Sequence, residues 1–174
     1  MADDDRKETI NNIGKLIRDS WDKGEPAGWF EEVYANAVSG TGVVPWAFMQ
    51  PSEMFTEWAQ ATNLDGEDKT ALVVGCGLGD DAEGLAGYGF NVTAFDISHT
   101  AIKQCKERFP KTTVTYQQAD LLNLPDEWRG KFDFVLENRT IQALPFDLAE
   151  RVISIISGLV ADDGRVLVLC HGRD

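Results

Sequence analysis

Basic residues, histidines, cysteines and long apolar runs are all scarce in this chain. Lys and Arg number 16 against 29 Asp and Glu, a formal net charge of −13. Such a balance repels phosphate backbones and anionic membrane surfaces unless cations are locally clustered, and no basic cluster stands in the sequence. Nucleic acid is therefore not the expected substrate, nor a membrane the expected partner. Cys76, Cys105 and Cys170 have no C-x-x-C spacing and cannot all pair, and His99 and His171 have no metal-ligand spacing to Cys, Asp or Glu. No metal is expected. No apolar stretch reaches the roughly 20 residues that cross a bilayer, and the Met-Ala-Asp-Asp-Asp start has neither the basic nor the apolar region of a leader. These absences lead to the expectation of a reduced, cytoplasmic protein. With 174 residues, 43% of them hydrophobic, the chain is long enough for one core and too short for two ordinary domains. A single domain over 1–174 is expected.

What the chain does have is the run Ala71-Leu72-Val73-Val74-Gly75-Cys76-Gly77-Leu78-Gly79, an apolar strand breaking into alternate glycines, with Asp96 closing the next apolar run. A turn with no Cβ lets backbone approach a ligand, and an acid at the end of the following strand can accept both ribose hydroxyls of a nucleoside. Gly75, Gly77, Gly79 and Asp96 are thus candidate cofactor-binding residues, with Ile97 packing on one adenine face. A dinucleotide fingerprint reads G-x-G-x-x-G and holds pyrophosphate at a helix N-terminus. Here the register is G-x-G-x-G, and Asp80 and Asp81 stand where pyrophosphate would sit, so like charges argue against an NAD-linked oxidoreductase. The site suits a cation, and S-adenosylmethionine, with its sulfonium and ammonium beside an adenosine, fits all three features.

Periodicity predicts an amphipathic helix over about 8–22 after a charged, frayed start, a short helix over 30–37, and a helix capped by Ser52 and ending near Asn63. Strands are predicted at 71–75, 91–96, 113–117, 132–137 and 165–170, alternating with helices at 80–86, 101–109 and 148–160. Strands alternating with helices give parallel pairs through right-handed crossovers, hence an α/β, doubly wound, Rossmann-like sheet of order 3-2-1-4-5. Residues 1–63 form its N-terminal helical cover and 70–174 its cofactor-binding core. Ligands then sit at the carboxyl ends of the strands, at the switch point between strands one and four.

The glycine turn and its acid make residues 70–174 resemble a class I S-adenosylmethionine-dependent methyltransferase. Pro45-Trp46 and Gln50-Pro51-Ser52 are similar to the small-molecule branch that includes thiopurine and thiol S-methyltransferases. The resemblance implies a small-molecule methyl acceptor, a thiol or other soft nucleophile being favoured. It also implies that Asp120 accepts from the adenine amine beside the apolar wall of Leu121, and that Arg139 and Thr140 lie where cofactor and acceptor are contacted. The family usually carries an acid two residues before the first glycine; here that residue is Val73, and Asp80 or Asp81 is the substitute partner for the cofactor's amino group. Glu137, the only acid at the end of strand four, is the candidate to orient or deprotonate an acceptor, with a structural ion pair to Arg139 as its other reading. Trp29, Tyr34 and Trp46 either close over the cofactor or belong to the core, with Trp46 the favoured cofactor contact. The family's C-terminal two-strand hairpin is not seen after strand five, which predicts an open edge, self-association through it and a weakened acceptor pocket. A non-catalytic nucleoside-binding module is the remaining alternative.

Overall fold

The computed structural model describes residues 3 to 172. Three helices, α1 (Asp3–Asp22), α2 (Trp29–Ser39) and α3 (Glu53–Ala61), precede the alternating part: β1 (Thr70–Val74), α4 (Asp80–Gly87), β2 (Asn91–Asp96), α5 (His99–Arg108), β3 (Thr115–Gln118), β4 (Phe132–Asn138), α6 (Ala149–Ser157) and β5 (Val160–Leu169). The five strands form one parallel sheet in the order β3-β2-β1-β4-β5, as the alternation predicts.

The central strand shows why the sheet is covered on both faces. Successive strand residues point to opposite sides, and both sides of β1 are apolar. Ala71 and Val73 enter one core layer with Phe55 of α3, Leu85 of α4 and Ile102 of α5. Leu72 and Val74 enter the other with Phe95, Trp128, Val135 and the α6 residues Val152 and Ile156. Burying each such side chain stabilises by about 1.5–3 kcal/mol, and Leu72→Ala would cost about 2–5 kcal/mol because a fully enclosed site cannot collapse around the loss.

Several boundaries differ from the periodicity. α1 begins at Asp3, earlier than the periodicity places it. β3 starts two residues late because Thr112 Oγ1 takes the Val114 N–H at 3.0 Å into a turn. α6 starts after a short 3₁₀ turn (Phe146–Leu148) that follows Pro145, and stops before Gly158. β5 begins earlier, at Val160 opposite Phe132, passes a bulge in which Asp163 has φ 66°, and leaves Cys170 outside. It pairs with β4 along one side, and Val166 and Val168 are exposed.

The N-terminal cover is fastened to the core at defined points. Glu31 of α2 accepts from Ser98 Oγ at 2.6 Å and from the Thr100 N–H and hydroxyl at the start of α5. Burial acts to raise its carboxyl, but those bonds hold it below the ordinary value. Ser98 itself caps α5, accepting from the Ala101 N–H at 3.0 Å. The polar end of α2 thereby sits beside the last residue of β2, next to the predicted ribose acid.

Candidate active site

The carboxyl ends of β3, β2, β1 and β4 open into one cavity of about 800 Å³, roofed by residues 27–54 of the cover. Its volume lies within the roughly 300–1,000 Å³ of small-molecule and cofactor sites. The structure brings Trp46, Gly75, Gly77, Asp80, Asp96 and Ile97 to its lining, and also Asp120, Leu121, Arg139 and Thr140. Gly79 and Glu137 are not on it.

At the β1 end the turn depends on glycine twice. Gly75 has φ 60°, and a Cβ there would lie 2.3 Å from Thr140 Oγ1. Gly77 has φ 55°, and its Cβ would meet the Tyr34 hydroxyl at 2.9 Å. The turn is thus pressed between the loop after β4 and an aromatic from the cover. Tyr34 accepts from Trp46 Nε1 at 3.0 Å, and Trp46 stands edge-on to Trp29, Phe30 and Tyr34. Trp29 and Tyr34 are buried core residues that also line the cavity, so both readings of the aromatics hold together.

Asp96 is buried and held by backbone. Its Oδ2 accepts from the Gly77 N–H and its Oδ1 from the Ser98 N–H, each at 2.9 Å. Burial pushes its pKa up to about 6, against those two bonds, which act the other way. Each carboxylate oxygen has a second lone pair, so the group can still accept two hydroxyls from the cavity. Asp120 at the β3 end is exposed; its Oδ1 takes the Leu122 N–H at 2.9 Å, and among the described residues Oδ2 has no donor. Leu121 beside it is buried and supplies an apolar wall.

One sequence expectation needs correction and another narrows. Glu137 is fully buried and turned under the loop after β4: its Oε1 accepts from the Thr140 N–H and from the Ile141 N–H at 3.0 Å, which fastens the 3₁₀ turn Ile141–Ala143. Among the described residues its Oε2 has no partner, and burial raises its pKa. It is a loop-fastening acid and not a base facing the cavity, and it forms no ion pair with Arg139. Asp80 is claimed by Arg108, whose guanidinium donates to Oδ1 at 2.7 Å and Oδ2 at 3.0 Å. Asp81 is the acid left at this corner. It joins three elements, accepting from the Ser52 N–H at 2.7 Å and from Asn138 Nδ2 at 2.8 Å, and lines the cavity. Arg139 stands in left-handed backbone at φ 68°, pinned by its N–H to Leu169 O at 2.9 Å. Among the described residues it is the only Lys or Arg on the cavity wall, and its side chain has no acceptor. Asn138 and Arg108 escape sequence reasoning, because no spacing rule links residue 138 to 81 or 108 to 80.

An adenosine bearing an amino-acid tail fits these groups. Free carboxylate lone pairs stand at the β3 and β2 ends, a Cβ-free turn at the β1 end, and an acid and a cation at the β4 end. The methyltransferase domain family matches this chain over residues 71–164. Among curated proteins, the eEF1A lysine and N-terminal methyltransferase of Bos taurus is 33% identical over 101 residues, 55% of this chain and 14% of that protein. The ubiquinone biosynthesis O-methyltransferase of Dechloromonas aromatica is 32% identical over 117 residues, 66% of this chain and 49% of that one. The chain therefore spans at most half the length of these two relatives. Among solved structures, one from work on the conversion of a disulfide bond into a thioacetal group during echinomycin biosynthesis superposes with a TM-score of 0.65 at 26% identity, covering 75% of this chain and 56% of that one. The magnesium protoporphyrin IX methyltransferase of Synechocystis PCC 6803, with SAH bound, gives 0.53 at 25% identity over 62% of this chain and 49% of that one. With a family match across more than half of its residues, a span that includes the glycine turn and the ribose acid, this chain belongs to the class I S-adenosylmethionine-dependent methyltransferases.

Proposed function

We propose that this protein transfers the methyl group of S-adenosylmethionine to a small-molecule acceptor, a thiol or comparably soft nucleophile being favoured. One observation carries the reading of the acceptor: the acid at the end of β4 faces away from the cavity and is sealed under its own loop. The transfer end is left to Tyr34, Trp46, Asn138 and Arg139, because Asp81, held by Ser52 and Asn138, is given to the cofactor's ammonium. Thiols ionise near pH 8.5, so an appreciable thiolate fraction exists at neutral pH without a protein base. An alcohol would need one within hydrogen-bond reach.

When bound, S-adenosylmethionine supplies a sulfonium methyl that is electrophilic without activation by the protein. The chain's residues have the task of holding and drying the site. Asp96 accepts the ribose hydroxyls; Asp120 accepts from the adenine amine, with Ile97 and Leu121 against the ring. Asp81 receives the ammonium and Arg139 the carboxylate of the amino-acid tail. Trp46 and Tyr34 exclude water over the Gly75–Gly77 turn, so that an acceptor is presented in line. Such positioning accounts for several kcal/mol of a transfer barrier. The relatives' names span protein lysine and O-methyl acceptors; the roof formed by residues 27–54 over the cavity favours a small acceptor.

The test is a methyl-transfer assay on a panel of thiols, phenols, amines and carboxylates. Turnover is expected on thiols first. Preference for a phenol or an amine would overturn the acceptor class, and tight SAH binding with no turnover on any acceptor would leave a nucleoside-binding module.

A further inference from the structure

The outer side of the glycine turn is gripped by α5. Cys105 Sγ donates to Gly77 O at 3.2 Å, and Arg108, three residues later on the same helix face, donates through Nη1 to Leu78 O. The same guanidinium closes on both oxygens of Asp80, so Arg108 holds the chain on either side of Gly79. It is only partly exposed, lies over the Phe109 ring at 4.8 Å, and its pKa is raised by the bond to Asp80. A trans peptide places successive C=O and N–H groups on opposite sides. With the Gly77 carbonyl turned to α5, the Leu78 N–H is turned toward the cavity that Leu78 lines, and no protein acceptor takes it among the described residues.

We infer that Arg108 is a positioning residue for the cofactor turn: it fixes the peptide orientation of Gly77-Leu78-Gly79 from behind, without touching the ligand. The inference rests on the cofactor reading above. A Lys cannot substitute fully, because a single ammonium lacks the planar fork that meets a carboxylate and a carbonyl together. The bland alternative is that Arg108 merely neutralises Asp80, an acid that would otherwise be left half-buried and unpaired.

A pair of variants separates the two. Arg108→Met removes the grip and leaves Asp80 unpaired; the double variant Arg108→Met with Asp80→Asn removes the grip and the unpaired charge together. Binding of SAH by calorimetry and melting temperature are read for each. The double variant is expected to regain most of the melting temperature while still binding SAH at least tenfold more weakly than the parent, with Arg108→Lys in between. If Arg108→Met does not fold, the double variant alone decides. A double variant that binds SAH within twofold of the parent would overturn the inference. A parent protein that binds no SAH would overturn the cofactor reading itself, and the inference with it.

Discussion

The two ends of the cavity are built by different means. The nucleoside end consists of strand termini: Asp96 is the last residue of β2, and two backbone N–H groups orient it. The transfer end consists of side chains from separate parts of the chain, with Tyr34 and Trp46 from the cover, Asp81 from α4 and Asn138 from β4 meeting across long sequence separations. A parallel sheet fixes where its strand ends lie, so the first end follows from local sequence. The second exists only once the cover has docked. The contrast teaches that cofactor affinity should reside mainly in the first end and turnover in the second.

The largest effect should come from Gly77→Val. It places a branched side chain at φ 55° against the Tyr34 hydroxyl, and SAH binding is expected to disappear in a calorimetric titration. Retained binding would mean that the turn does not carry the ligand. Next is Asp96→Ala. Hydrogen bonds to a charged acceptor contribute about 1.5–3 kcal/mol, so the dissociation constant for SAH should rise by roughly tenfold to a hundredfold with the fold intact by circular dichroism. Unchanged affinity would assign the ribose to another acid.

A smaller effect should follow from pH. Burial pushes the Asp96 pKa up to about 6, and its ionised form is the stronger acceptor for both hydroxyls. Ligand binding therefore lowers its pKa and releases a proton, so affinity should be constant well above pH 6 and fall as pH drops through 6, by up to about tenfold per unit. In the ligand-free protein the sign is opposite. A buried acid with a raised pKa favours the fold when protonated, and its contribution is lost as pH rises from about 4 to 6. Affinity that improves on acidification would refute the role of Asp96. The smallest effect on affinity is expected for Trp46→Ala, which opens the transfer end: SAH should bind within a few-fold of the parent while turnover falls by roughly tenfold or more, since misplacement of the acceptor is costly in rate. An equal loss in binding and turnover would erase the distinction between the two ends.

The same division governs what could be read from the sequence. β1, the turn, α4 and β2 were legible because alternation, glycine spacing and a strand-end acid are local signals, and the sheet order followed from them. The orientation of Glu137 is not legible in the sequence, because it depends on how the 3₁₀ turn at Ile141–Ala143 folds back over it. The pairing of Asp80 is not legible in the sequence because its partner stands 28 residues away, at the end of α5. The cover yielded its helices but not its contacts: nothing in the sequence joins Ser52 to Asp81 or Glu31 to Ser98.

A calorimetric titration of the unmodified protein with SAH and, separately, with NAD tests the cofactor assignment itself. One SAH site per chain and no measurable heat from NAD are expected, because the turn lacks a pyrophosphate cradle and the residues after it are acids. NAD binding with no response to SAH would contradict it.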